Sequence, residues 1–371
     1  MMKVKFGDVV NRVNIKVDRH HTDRIYYVGG EHIESNELMI HDKGLIKGST
    51  IGYKFHFGFN PRHILFMSRN PHLRKCSMVN FSGVCSDSTY VVETKDDSVL
   101  LQDYLLFEMQ SDRFWKWAEE HKSGGVNYLI NYATLSSYEF FLPSLSVQRE
   151  LSKKLWAAYR LKESYKKLLL ATRDMVKSQF IEMFGNNVSK KKISEVCDVR
   201  GGSTPTRTTK EFWNNGTIPW FTVEDIYEQG RYISETKQHI TELATKKCFI
   251  YPVDTVLICC TASVGEYAIT KKEMASNQQF NGMMIKDKSE LHPEYLLYVA
   301  STLKEDLLRQ AGKTTINFVS RSKLENIEIP VPPYSEQLGF VSIYQQADKS
   351  EFELKKSIEA IDAVIKSLIN S

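Results

Sequence analysis

Leu135-Ser-Ser-Tyr-Glu-Phe-Phe-Leu-Pro143, with Gln148 five residues on, is answered by Leu324-Glu-Asn-Ile-Glu-Ile-Pro-Val-Pro332, with Gln337 five residues on; the two prolines and the two glutamines are each 189 residues apart. Similarity at one fixed offset makes each copy a structural unit, so the chain reads as two similar domains in tandem. Upstream, Tyr104-Leu-Leu-Phe107 answers Tyr295-Leu-Leu-Tyr298 with a two-residue shift, and a glycine turn follows each (Gly124-Gly125, Gly312). Downstream, Lys177-Ser178 answers Lys366-Ser367 at the original offset. Each copy predicts a helix, a turn, a strand ending in proline, and then a long helix.

That last helix is the most regular object in the chain. Leu151, Leu155, Ala158, Lys162, Tyr165, Leu169, Thr172, Val176, Gln179 and Met183 alternate spacings of four and three, a heptad seam. The repeat offset carries them onto Phe340, Tyr344, Ala347, Glu351, Leu354, Ile358, Ile361, Ile365 and Leu368, the same seam. Two unrelated core helices, each packing on its own domain, would also show apolar stripes. A stripe repeated at the domain offset favours a coiled coil, antiparallel because the first helix leads away from its domain and the second returns. Ser146 and Ser335 are the expected caps, Gly185 with Asn186-Asn187 the expected first terminus, and the seam from 151 to 183 would run about 50 Å. Lys162 and Glu351 break the two seams at equivalent places. In an antiparallel pair they lie toward opposite ends and cannot bond one another, so they mark ends or partner contacts, or snorkel.

With 371 residues, 42% hydrophobic and 25% charged, the chain has material for two packed domains. No run of eighteen apolar residues occurs and Met1-Met2-Lys3 leads into no signal-peptide core, which points to a cytoplasmic protein off the membrane. Cys76, Cys85, Cys197, Cys248, Cys259 and Cys260 show no C-x-x-C spacing and read as buried thiols, and the histidines match no H-x-x-x-H spacing, so no metal is expected. The net charge of +4 is concentrated: residues 151–189 hold eight Lys/Arg against three Asp/Glu, while the flanking parts are near balance. A basic connector can track phosphates, and a solvated helix face carries the same charge. Short strands are expected at Tyr26-Tyr-Val28, Ile64-Leu-Phe-Met67, Tyr90-Val-Val92, Cys248-Phe-Ile250 and Val256-Leu-Ile258.

The second half opens with Ile193-Ser-Glu-Val-Cys197, Arg200-Gly-Gly-Ser-Thr-Pro-Thr-Arg207, Phe212-Trp213, Ile218-Pro-Trp-Phe-Thr222 and Glu224-Asp-Ile226. Small residues beside arginine suit close approach to a phosphate, and they also suit an ordinary turn. Together with Cys260-Thr-Ala-Ser-Val-Gly265, Ser276-Asn-Gln-Gln279 and the closing Ile327-Glu-Ile-Pro-Val-Pro-Pro333 before Gln337, these runs resemble a target-recognition domain of the specificity subunits of type I restriction-modification systems. The order of domain, long helix, domain, long helix fits that family over the whole chain. The first half is more divergent: Gly58-Phe-Asn-Pro61 and Phe81-Ser-Gly-Val-Cys-Ser86 stand where a Gly-Gly-Ser-Thr-Pro run would be expected.

The resemblance implies a mixed α/β (α+β) fold: two pseudo-repeated target-recognition domains, at 1–145 and 187–334, joined by an antiparallel coiled coil of two spacer helices, at 146–186 and 335–371. It implies a non-catalytic subunit that reads a bipartite, asymmetric double-stranded DNA site in phage defence and directs adenine methylation or cleavage by partners. Two methyltransferase subunits would grip the helices and bring S-adenosylmethionine; a restriction subunit, a motor using ATP and Mg, would join for cleavage. This chain would bind no cofactor of its own. Candidate DNA contacts are Arg69, Arg74 and Lys75 in the first domain, and Ser203, Thr204, Arg207, Lys271, Lys272, Asn277, Gln278 and Lys313 in the second. Arginine suits guanine, and Asn or Gln suits adenine.

Enzyme readings fare less well. A methyltransferase needs Asn or Asp before Pro-Pro-aromatic; Val331-Pro-Pro-Tyr334 has valine there, and Asn60-Pro-Arg-His63 lacks the second proline and the aromatic. The phosphate-binding loop G-x-x-x-x-G-K-[ST] is absent. Asp225, Glu235 and Lys237 have a spacing a metal-dependent nuclease could use. That nuclease, and a coiled-coil interaction protein without DNA, are the rival readings.

Overall fold

A computed structural model describes residues 2–125, 128–185, 188–310 and 318–371. Gly312 and Asn186-Asn187 of the expected turns lie outside the described residues. The chain divides into two compact units, Met1–Lys167 with Leu354–Ser371, and Leu168–Glu353.

In the first unit, strand Met2–Lys5 pairs antiparallel with Glu139–Leu142, the strand that ends at the repeated proline. A four-stranded antiparallel sheet orders Val10–Arg12, Thr89–Thr94, Ile64–Met67 and Cys76–Met78. A five-stranded sheet orders Ile15–Lys16, Phe55–Phe59, Gly83–Ser86, Tyr26–Val28 and Gly44–Leu45, with the third and fourth strands parallel. Helices Gln102–Gln110 and Asp112–Glu120 close one core, where Phe66 and Trp115 stack at 5.9 Å. Ser111 caps the second of these by accepting from the Phe114 N–H at 3.2 Å.

The second unit repeats the scheme. Lys190–Lys192 pairs antiparallel with Glu328–Pro330. A five-stranded sheet runs Cys197–Gly201, Phe280–Ile285, Val256–Cys259, Tyr267–Thr270 and Tyr232–Ile233, and a three-stranded one runs Gln238–Ile240, Ile218–Phe221 and Ala275–Ser276. Helix Pro293–Thr302 contributes the repeated Tyr-Leu-Leu run, Tyr295, Leu296 and Leu297 being fully buried. The strand expected at Cys248–Ile250 is irregular: the segment leaves helix Glu242–Thr245 and reaches only an isolated bridge, Tyr251 to Met274.

The repeated long segments are helices Leu145–Phe184 and Tyr334–Ile369. Both begin a little before the expected serine caps, because the Gln148 N–H bonds to the Ser144 carbonyl and those of Glu336 and Gln337 bond to the Pro333 carbonyl. Proline at a helix start loses no hydrogen bond. The two helices pack against each other within each unit. In the first, Leu151, Leu155, Ala158 and Tyr159 share a core with Ile361, Ile365, Leu368 and Ile369. In the second, Val176, Phe180 and Phe184 share one with Phe340, Tyr344 and Ala347. There Arg173 meets Glu351 at 3.0 Å and Phe184 meets Phe340 at 5.7 Å, so rising numbers on one helix face falling numbers on the other: the pairing is antiparallel. Tyr165, Leu169, Leu354 and Ile358, the middle of the seam, are half-buried, whereas Leu161, Leu168 and Leu170 off the seam are exposed.

Lys162 and Glu351 are not idle ends. Lys162 bonds Asp362 at 2.7 Å and lies 3.7 Å from Glu37, and Glu351 takes Arg173. Each seam-breaking charge therefore finds its counter-charge on the other long helix. The six cysteines are free thiols, all buried but Cys248, and burial pushes those of Cys85 and Cys197 up to about 12.

Candidate nucleic-acid interface

The Gly-Gly-Ser-Thr-Pro run leaves the end of strand Cys197–Gly201 and folds against the segment around Ser276. The Gly202 N–H bonds to the Phe280 carbonyl and the Ser203 N–H to the Ser276 carbonyl, each at 2.9 Å. A Cβ on Gly202 would stand 2.2 Å from the Asn277 carbonyl oxygen and the Ser276 Oγ, so the close approach admits glycine alone. Ser203 Oγ donates to the Lys247 carbonyl at 2.7 Å, and Trp220 Nε1 donates to the Ser203 carbonyl at 3.1 Å. These bonds fix the loop, on which Pro205 is buried and Thr204, Thr206 and Arg207 are exposed.

Beyond it, Thr204 Oγ1 donates to Gln278 Oε1, and Arg207 Nη1 donates to Gln238 Oε1 at 2.6 Å. The Arg207 guanidinium lies over the rings of Trp213, at 3.9 Å, and Trp220, at 4.6 Å. Two edge-packed tryptophans, 5.1 Å between centroids, form its floor. The arrangement presents a cation, a hydroxyl and two amides, with Thr204, Arg207 and Gln278 exposed and Gln238 half-buried, the donor and acceptor types that read base edges and phosphates.

Of the residues expected in this role, the structure gathers Ser203, Thr204, Arg207 and Gln278 here. Asn277 turns inward, bonding Gln279 through both its amide nitrogen and its oxygen at 3.0 Å. Lys271 pairs with Asp254 and Glu294, and Lys272 with Glu235. Lys313 lies outside the described residues. In the first unit Arg74 pairs with Asp112 at 2.6 Å, and Lys75 donates to the Gly30 carbonyl. Arg69 takes part in a backbone bridge to Leu129.

Sequence reasoning missed a cleft of about 610 Å³ in the first unit, lined by Arg19, His20, Arg24, Lys47, Gly48 and Ser49 among others. Arg24 is anchored on the Gly83 carbonyl and Asn60 Oδ1, both at 3.1 Å. Among the described residues neither Arg19 nor Lys47 has a carboxylate partner. The signal was there, basic residues inside turn-forming stretches at 19–24 and 47–49, but no motif singled it out.

The acidic groups serve the fold. Asp225 is 1% exposed, and its carboxylate accepts from the Thr222 N–H at 2.8 Å and the Lys237 N–H at 2.9 Å. Glu235 faces Lys272 and His239 instead, so the suspected nuclease triplet does not converge. Glu37, His41 and Glu163 bring ligand atoms within 4.8 Å of one another. The Lys166 ammonium, 3.4 Å from Glu37 and 3.0 Å from Glu163, and the Tyr159 hydroxyl on His41 make this an ion-pair network rather than a metal cage.

Residues 186–362 match the type I restriction modification DNA specificity domain. The chain is 34% identical over 185 residues to the specificity subunit of the type I restriction enzyme MjaIX of Methanocaldococcus jannaschii, covering 49% of this chain and 42% of that protein. To the EcoprrI specificity subunit of Escherichia coli it is 32% identical over 152 residues, 40% of this chain and 38% of that one. It thus spans about two-fifths of the length of these curated relatives. Among solved structures, the S subunit of a type I restriction-modification system from M. genitalium aligns over 99% of this chain and 94% of its own, with TM-score 0.63 at 13% identity. A chain from a study of type I R-M complex assembly aligns over 99% and 96%, with TM-score 0.57 at 18% identity. The second half of the chain is thus similar in sequence to the type I restriction modification DNA specificity domain, and its whole length shares the fold of solved S subunits.

Proposed function

We propose that this chain is the DNA-reading subunit of a type I restriction-modification complex, recognising a gapped site one half per unit and leaving the chemistry to partner subunits. The observation that carries the reading is the braced loop from Gly202 to Arg207, with Gln238 and Gln278 beside it: polar side chains over a tryptophan floor. In the first unit the Arg19–Lys47 cleft is the corresponding surface. Because the two surfaces differ in residues, the two half-sites differ and the target is asymmetric. Methyltransferase subunits, two of them, grip the long helices and bring S-adenosylmethionine; a restriction subunit joins with ATP and Mg; the assembly works in the cytoplasm. The nuclease reading has no support, since the Asp225 carboxylate is spent on capping a helix.

Methylation mapping in cells carrying the intact system gives the recognised bases. Arg207→Ala should weaken binding of the assembled complex to its mapped site by about 1–3 kcal/mol, and relax discrimination at one position of one half-site. Uniform weakening across all sequences, with a shallower salt dependence, would make Arg207 a phosphate contact. Unchanged binding would remove the loop from the interface.

A further inference from the structure

Lys162 and Glu351 occupy equivalent places in the two repeats, and so do Arg173 and Asp362; both pairs of positions are 189 residues apart. The ion pairs run crosswise between these sets, Lys162 to Asp362 at 2.7 Å and Arg173 to Glu351 at 3.0 Å. One bridge is thus the other with both charges reversed. Lys162 and Glu351 are 12% and 20% exposed while Asp362 and Arg173 are about half exposed, so each bridge joins a sheltered charge to one at the surface and is partly screened.

The reversal matters because the apolar seam cannot tell the helices apart. Both carry the same heptad phase, so the first long helix of one copy could pair with the first long helix of another, in the same antiparallel register. Equivalence then sets Lys162 against Arg173 twice. Pairing of two second helices sets Glu351 against Asp362 twice. The wider charge points the same way: Leu145–Phe184 carries nine Lys/Arg against four Asp/Glu, and Tyr334–Ile369 four against six. Like charges opposed across a seam are a standard device for rejecting a wrong partner.

We propose that Lys162, Arg173, Glu351 and Asp362 form a sorting code that directs each long helix to the other helix of its own chain and rejects the like helix of a second copy. The code can be erased without breaking a bridge. In the full chain, R173E combined with E351K leaves both crosswise pairs opposite in charge, yet makes both like-helix pairings opposite as well. The mirror exchange, K162E with D362K, does the same by an independent route and is run alongside in case one pair of substitutions harms folding.

Sedimentation velocity should find the native chain monomeric and either exchanged chain in concentration-dependent dimers, with association strengthened at least about tenfold. A zero-length amine-to-carboxylate cross-linker identifies the register. In R173E/E351K it should join Lys162 to the introduced carboxylate at position 173. Within one chain these lie eleven residues apart on one helix, about 16 Å, so the link requires two copies. Exchanged chains that melt like the native protein and stay monomeric would overturn the proposal, as would like-helix links in the native chain.

Discussion

Gln148 and Gln337 are both fully buried, and each uses its amide three times. Gln148 accepts from the Leu101 N–H at 2.9 Å and donates to the Val99 and Pro143 carbonyls at 3.0 Å. Gln337 makes the same set with the His292 N–H and the Glu290 and Pro332 carbonyls, all at 2.8 Å. A long helix is thereby pinned to the turn before the Tyr-Leu-Leu helix and to the repeated proline. Gln148→Leu takes the partner from three backbone groups, the Pro143 carbonyl buried and the Leu101 N–H and Val99 carbonyl part-buried, a cost of about 2–5 kcal/mol. Urea denaturation should show it, with Gln337→Leu costing a similar amount; a loss under about 0.5 kcal/mol would mean that the backbone groups find other partners. The sequence displayed these glutamines as repeated letters, and their function needed coordinates, because the groups they satisfy are main-chain atoms that leave no mark on composition. The Gly202–Arg207 loop was more legible, since adjacent glycines and a nearby tryptophan are side-chain facts.

Among elements, the long helices were the most readable, because heptad spacing is a local property of the chain and the fixed offset doubled the signal. Their polar interruptions were harder. Asp362 and Arg173 stand beside the seam rather than in it, and Glu37 is 125 residues from Lys162, too far for any local pattern to connect them. Burial pushes the Glu37 carboxyl up, but the ammonium groups of Lys162 and Lys166 outweigh it, aided by bonds from Tyr159 and the Leu38 N–H, and leave it below its ordinary 4.5. A carboxylate whose folded pKa is depressed stabilises the fold above its unfolded value, and that contribution fades as pH falls through the folded one. Glu37→Gln should therefore lower the urea midpoint at neutral pH, with the gap from the native protein closing below about pH 4. A gap that stays constant into acid would assign the loss to packing.

For the molecule as a whole, order along the chain and membership of a core part company. The last eighteen residues, Leu354–Ser371, belong to the unit that begins the chain, where Ile361 and Ile365 pack with Leu155 and Tyr159. Truncation after Glu353 should consequently unfold the N-terminal unit and spare Leu168–Glu353. Hydrogen exchange should show protection lost in strands Ile64–Met67 and Thr89–Thr94 and kept in Val256–Cys259 and Phe280–Ile285. Equal loss in both units would mean a single cooperative block. Such contrasts can also be followed optically. Five of the six native thiols are sealed in the interior and held protonated, so a maleimide dye finds little to attack. With Cys248 replaced by serine, one cysteine introduced on an exposed turn of each unit would carry donor and acceptor fluorophores on a quiet background, turning this protein into its own ruler for DNA engagement.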